Sequence, residues 1–340
     1  MTDAAPQGRL RARSLGVAAG ALPTGPLNAI TDVDGVLVGH ATVDDGADLH
    51  TGVTAVVPPR LGLPAAVHTG NGYGKLVGST QVDELGVLES PIVLTATLSV
   101  FRAADAVLTY LMRLRPDGLS FNPLVGETND GFLSDIRRRP ITEQHVLDAL
   151  EGACGGLPAE GCVGAGTGTT ALGYKAGIGT SSRRLVADGA PVTVGALVQA
   201  NFGGVLTVQG TPMPVEEVLP GVRHEEPPGN SCMIVVATDA RLDARRLGRL
   251  ARRAIFAMGR VGASYAHGSG DYAIAFTTAP PQRPPLPDDR LDPVFAAVMD
   301  AVEESLLNSL FTATTTTGVH GHTSHAVPYD RLPIRPGTGG

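Results

Sequence analysis

The stretch Pro227-Pro228-Gly229-Asn230-Ser231-Cys232-Met233-Ile234-Val235-Val236-Ala237-Thr238-Asp239 runs from a stiff polar loop straight into an apolar strand, with one hydroxyl at the junction. If the Ser231 hydroxyl attacks the carbonyl carbon of Asn230, the peptide bond becomes an ester, and hydrolysis of that ester leaves Ser231 as a new N-terminus. One residue would then hold both nucleophile and base. A free α-amine, with a reference pKa of about 7.7–8.0, can take the hydroxyl proton near neutral pH. The plainer reading is a loop entering a strand, as for most Asn-Ser pairs, so the choice rests on the rest of the chain.

Outward from that junction, 340 residues give room for a large core, either as two domains or as one α/β sandwich. The 44 glycines and 26 prolines stay below the level that marks low-complexity disorder, and 43% hydrophobic residues indicate a globular protein rich in turns. A formal charge of −7 argues against a nucleic-acid partner, and the scarcity of aromatics, with no Trp, argues against base-stacking platforms. Cys154, Cys162 and Cys232 form no CxxC pair, which is expected of reduced, buried thiols in a cytoplasmic protein. The first twenty residues make a poor signal peptide, and no run of about 18 apolar residues announces a membrane span.

Residues 1–24 read as a flexible arm ending at Pro23 and Pro26, and 25–340 as a single domain. Short strands are expected at Val36–Val38, Val53–Val57 and Pro91–Thr95. From Val100 the apolar positions Ala104, Val107, Leu108, Leu111 and Met112 recur at helical spacing until Pro116-Asp117-Gly118. A second helix has Thr142 as N-cap, Ile141 and Val146 as a hydrophobic staple, and Gly152 at its end. The run Gly164-Ala165-Gly166-Thr167-Gly168-Thr169-Thr170 lacks the Walker lysine pattern and is better suited to tight backbone packing or to a wall beside a site. Val192–Ala200 alternates as a strand with Asn201 at its end, and strand 232–238 feeds a helix over 242–260 with arginines on its outer faces. That basic face reads as solvated or paired with a neighbouring subunit. Strand Tyr272–Thr278, a proline-rich link over 280–288 and a helix with Asp292 as N-cap and Pro293 at its first position complete the chain.

Several separate segments, in order, carry a resemblance. They are Gly25-Pro26-Leu27-Asn28-Ala29-Ile30-Thr31-Asp32-Val33, Thr51-Gly52-Val53-Thr54-Ala55, Gly70-Asn71-Gly72, Gly126-Glu127-Thr128-Asn129-Asp130-Gly131, Lys175-Ala176-Gly177-Ile178-Gly179-Thr180-Ser181-Ser182-Arg183 and the Asn230-Ser231 strand. Over about residues 8 to 332 the chain resembles the self-processing aminopeptidases that include L-aminopeptidase/D-amino-acid esterases and β-peptidyl aminopeptidases. The resemblance implies an α/β (α+β) fold, a four-layer αββα sandwich similar to N-terminal-nucleophile hydrolases and shared with ornithine acetyltransferases. It implies cleavage between Asn230 and Ser231 into chains 1–230 and 231–340, assembled as a tetramer of cleaved heterodimers, with no cofactor.

It also implies residue roles. Ser231 would be the nucleophile, with Ser269 and Asp271 orienting it. Asn201 would donate to the oxyanion, and Glu127 would bind the ammonium of a small peptide, amide or ester. Asn129 stands where some relatives carry a tyrosine that helps the oxyanion hole, and Leu98-Ser99 departs from a more polar stretch. On their own, Ser-Gly-Asp before a strand is an ordinary turn, Asn201 a strand end and Glu127 a surface acid. His320, His322 and His325 lie close in sequence but match no metal-binding pattern, and no metal is expected. Two other functions stay open: acyl transfer to an amine, which in the related branch uses threonine, and a non-catalytic chain that never cleaves itself.

Overall fold

The structure is a computed structural model that describes residues 8–222, 230–280 and 284–333. Prolines 227–228 and Gly229 of the loop before Ser231, and part of the proline-rich link, lie outside these residues. Two sheets pack face to face. One has the order β1 (Leu37–Asp44), β2 (His50–Val57), β6 (Ile92–Ala96), β7 (Leu124–Thr128), β4 (Leu76–Val77). The other runs β8 (Ile178–Ala187), β9 (Ala190–Asn201), β10 (Asn230–Thr238), β11 (Ser269–Thr277), β3 (Leu63–Gly72), β5 (Val87–Leu88).

Period-two alternation sends neighbouring side chains of each strand into different cores. Between the sheets, Val56, Ile92, Leu94 and Leu124 meet Leu197, Met233, Val235, Ile274 and Phe276. On the outer face of the first sheet, Val53, Ala55, Val93 and Val125 pack on α1 (Val100–Leu114) and α2 (Glu143–Glu151). On the outer face of the second, Val194, Val198, Ile234, Val236 and Ala273 pack on α3 (Ala244–Met258) and α4 (Asp292–Phe311). The layers are therefore αββα. Burial on both faces is why the central strands read as nearly continuous apolar runs.

The expected cap of α2 forms. Thr142 Oγ1 accepts the His145 N–H, Thr142 N–H donates to His145 Nδ1 at 3.1 Å, and Ile141 and Val146 are fully buried. At α4 the helix begins one residue earlier than expected: Leu291 is the N-cap, and Asp292 and Pro293 fall in the first turn, where a missing N–H costs nothing. Several arginines of α3 have partners within the chain, Arg245 and Arg246 on Asp288 and Arg253 over the Phe295 ring at 3.4 Å.

Residues 8–24 are not a free arm. Ala12 and Val17 are buried, Arg11 pairs with Glu160 at 2.7 Å, and Arg13 reaches Glu304, which also takes Arg183 at 2.7 Å. Arg13 ties this segment to α4 through Glu304, Arg9 to its end through Phe311 O, and Arg11 to Glu160. Strands β3, β7 and β8 were not foreseen. In β8 the buried side chains, on both faces of the strand, are Thr180, Ser181, Ser182 and Arg183, whose polar atoms are bonded to Ala196 O, Ala301 O, Asp32 and Glu304, so no apolar alternation marks it. Of the cysteines, all free, Cys232 is buried but Cys154 is exposed, contrary to expectation. Among the described residues no helix is long and apolar enough to cross a membrane.

Candidate active site

Ser231 is the second residue of β10 and almost wholly buried. Asn201 at the end of β9 is its antiparallel partner, and Gly270 of β11 its parallel partner. Side chains directly opposite in a ladder share a face, so Ser231 and Asn201 both point to the side of Met233 and Leu197, between the sheets. Cys232 points the other way, into the helix-side core.

Ser269 and Asp271 flank Gly270 and share the helix-side face with Ala273. Ser269 Oγ donates to Asp271 Oδ1 at 2.8 Å, and Asn71 Nδ2 donates to Oδ2 at 3.2 Å. Burial raises the Asp271 pKa above the ordinary range, against the opposing pull of Ser269, Asn71 and the Cys232 N–H. The pair thus runs beside the backbone of Ser231 and Cys232. Among the described residues the Ser231 hydroxyl makes no hydrogen bond to either partner.

Asn201 is held by the glycine run. Its Oδ1 accepts the Thr170 N–H at 3.1 Å, which orients the amide. The run can pass here only because it lacks side chains: a Cβ on Gly166 would lie 2.3 Å from Ile178 N, and one on Gly168 2.0 Å from His50 O. Next to it Lys175, fully buried, donates from Nζ to Thr169 O at 2.9 Å and Ala176 O at 2.5 Å.

Glu127 is the penultimate residue of β7 on the facing sheet and is 2% exposed. Its Oε1 accepts the Lys75 backbone N–H at 3.0 Å and the Lys75 ammonium at 3.3 Å. A Cβ on Gly74 would sit 3.1 Å from Gly270 Cα and 3.3 Å from Glu127 Oε1. The carboxylate is therefore one small side chain's breadth from the strand position opposite Ser231. Asn129 is half-buried and its Oδ1 accepts the Gly131 N–H at 2.9 Å, closing its own turn. Asn230 is half-buried beside Gly203. Tyr73, Leu98 and His267 stand at the exposed rim, the Tyr73 and His267 rings 6.4 Å apart.

Asp130 follows on the same loop and neither of its oxygens makes a hydrogen bond. Thr51 is close enough to act on the charge but lies outside hydrogen-bond geometry, and burial pushes the Asp130 pKa up to about 7. His322 is engaged elsewhere, stacked on Phe132 with its Nδ1 3.0 Å from Phe132 O. Lys75 was not singled out in the sequence, and Asn71 and Thr170 stood there only within the Gly70-Asn71-Gly72 segment and the glycine run, with no role of their own. Each comes from a loop or strand end that only the sheet pairing brings to Ser231, so spacing carried no signal for them.

The sequence profile of peptidase family S58 matches residues 28–324. The β-peptidyl aminopeptidase BapA of Sphingosinicella microcystinivorans is 38% identical, over 95% of this chain and 90% of that protein. A Burkholderia sp. β-aminopeptidase superposes with a TM-score of 0.87 at 36% identity, covering 96% of this chain and 100% of that one. The L-aminopeptidase D-Ala-esterase/amidase of Ochrobactrum anthropi, described as a prototype serine aminopeptidase and a variant of the Ntn hydrolase fold, superposes with a TM-score of 0.87 at 35% identity over 95% of this chain and 96% of its own.

Proposed function

The chain belongs to peptidase family S58 and is an aminopeptidase; on that premise we propose that it is a self-processing serine enzyme whose nucleophile is Ser231. In processing, Ser231 Oγ attacks the Asn230 carbonyl carbon, the C–N bond to Ser231 breaks as the nitrogen takes a proton, and water hydrolyses the resulting ester. The same oxygen then attacks the substrate carbonyl, its proton passing to the freed α-amine and from there to the nitrogen of the scissile C–N bond, which breaks and releases the amine product; a second water hydrolyses the acyl ester.

The observation that carries this reading is the register at Ser231. Asn201 faces it from one side with its amide oriented by Thr170, the arrangement an oxyanion donor needs. From the other side the hydrogen-bonded Ser269–Asp271 pair straddles Gly270. That pair lies where it can hold the new α-amine in its unprotonated, proton-accepting orientation. Glu127 on the opposite sheet is the group for the substrate's ammonium, which confines the enzyme to free N-termini.

The relatives named for β-peptides support a substrate whose amine stands one carbon further from the scissile carbonyl than in an α-peptide. The three unpaired thiols support a reducing, cytoplasmic setting, and the family resemblance supports an oligomer of cleaved heterodimers. Intact mass under denaturing conditions tests the core of the proposal. Two species, 1–230 and 231–340, are expected from active protein, and a single full-length species with full activity would overturn it.

A further inference from the structure

We propose that Lys75 makes this site selective for an N-terminal residue that bears a free carboxylate on the carbon carrying its free amine, as in a β-aspartyl peptide. The inference rests on the reading of Glu127 as the amine-binding carboxylate and narrows the substrate class of that same site.

Glu127 is not a bare carboxylate waiting for a cation. Its Oε1 already accepts both the backbone N–H and the ammonium of Lys75, at 3.0 and 3.3 Å. The ammonium is fixed in turn by Thr97 Oγ1 at 2.7 Å. The Lys75 side chain is nonetheless 40% exposed, against 3% for that of Glu127, so it lies on the open side of the pair. An ammonium has three donors, and these contacts use two.

Together the two side chains are electrically neutral. A substrate carrying only an ammonium would share Glu127 with Lys75 and sit beside a like charge, which weakens its binding in a partly desolvated site. A carboxylate next to the substrate's ammonium reverses that penalty, because it can take the remaining Lys75 N–H while the ammonium goes to Glu127. The complement of this pair is an amino-acid zwitterion.

An ordinary α-peptide cannot present one, since its α-carboxyl is the scissile carbonyl. A β-aspartyl residue can. Its α-amine and α-carboxylate are both free, and the amine stands two carbons from the carbonyl, the spacing proposed above for this site. The Gly74 position bridges Glu127 Oε1 and Gly270 Cα, at 3.3 and 3.1 Å from a Cβ built there, so head-group recognition and the strand position opposite Ser231 are a few ångströms apart.

The test compares β-aspartyl-leucine with β-homoalanyl-leucine of matched configuration, which differ only in carboxylate against methyl. Values of kcat/KM are measured in the self-processed wild type and in Lys75→Met and Lys75→Arg. The wild type is expected to prefer the β-aspartyl dipeptide by about tenfold or more. That ratio should fall by at least about tenfold in Lys75→Met and stay within about threefold in Lys75→Arg. Because each ratio is taken within one preparation, a loss of folded protein cancels. A wild type that prefers β-homoalanyl-leucine, or a ratio unchanged in Lys75→Met, overturns the role of Lys75 and leaves the aminopeptidase reading standing. Processed protein that cleaves neither dipeptide, nor any peptide with a free amine, overturns that reading and the inference with it.

Discussion

Ser269 and Asp271 are joined by a 2.8 Å hydrogen bond across Gly270, the residue that faces Ser231 in the parallel pairing of β10 and β11. Because the two side chains share the face of Cys232, they lie beside the strand backbone, on the side away from the Ser231 hydroxyl. An ionised Asp271 can accept a hydrogen bond from the freed amine while the amine's lone pair takes the hydroxyl proton. Burial raises the Asp271 pKa, so activity should be lost on acidification at a higher pH than an ordinary aspartate would give. Asp271→Asn is expected to lower kcat by about 10²–10⁴ and to remove that acidic limb. A pH–rate profile of both proteins, processed before assay, checks it; an unchanged limb would assign it to another group.

Ser231 and Cys232 face different cores, so their substitutions should separate cleanly. Ser231→Ala is expected to give an uncleaved, inactive chain, since one oxygen serves both reactions. Cys232→Ala should still process and turn over, at a stability cost of about 1 kcal/mol for the small cavity it leaves. Denaturing mass and thermal unfolding read both effects. Cleavage surviving in Ser231→Ala and lost in Cys232→Ala would move the nucleophile to the thiol.

For Glu127 the expected contribution is a charge-assisted hydrogen bond to the substrate amine, of order 1.5–3 kcal/mol. Glu127→Gln should lower kcat/KM by roughly one to two powers of ten while self-cleavage, which involves no substrate amine, proceeds. N-acetylating an amino-acid p-nitroanilide should strongly impair the wild type and impair Glu127→Gln much less, because both changes remove the same contact. Additive losses would mean that the carboxylate does not hold the amine.

Asp130 should leave a mark on stability instead. Its carboxyl keeps its proton in the fold up to about pH 7, whereas in the unfolded chain it ionises near its ordinary value of about 4. Between those values the unfolded state binds fewer protons than the folded one, so the contribution of this group falls as pH rises from about 4 to about 7 and is flat outside that window. Asp130→Asn is expected to gain stability relative to the wild type at pH 7.5 but not at pH 4. Urea unfolding at the two pH values tests this; equal differences at both would show that Asp130 is not protonated in the fold.

Much of the layering could be read from the chain. The stripes of α1 and α3, the Thr142 cap and the alternation of Val192–Ala200 are local signals, because each reflects one face of one element meeting a core. Of the strands that escaped, Ile178–Ala187 is buried mostly through polar residues and glycine, and Leu63–Gly72 is buried only over its first residues, Leu63, Ala65 and Ala66. Their place in a sheet depends on partners supplied from far away, such as Glu304 for Arg183 and Ala301 O for Ser181. The expectation of a free arm at the N-terminus failed for the same reason: the counter-ions that hold Arg11 and Arg13, Glu160 and Glu304, are far away in sequence.

By itself, then, the sequence determined the apolar faces of single elements and, through its ordered motif segments, the kinship with peptidase family S58 and with it the expected αββα layering. Only the tertiary structure decided which groups meet at Ser231. Asn201 arrives by strand register, Thr170 N–H by a glycine run threaded between backbones, and Asn71 from the end of β3. Lys75 reaches Glu127 only because β4 closes beside β7. The physical reason is that apolar burial is written in short periodicities along the chain, whereas hydrogen bonds and ion pairs are set by ångström-scale distances between segments that the chain keeps far apart.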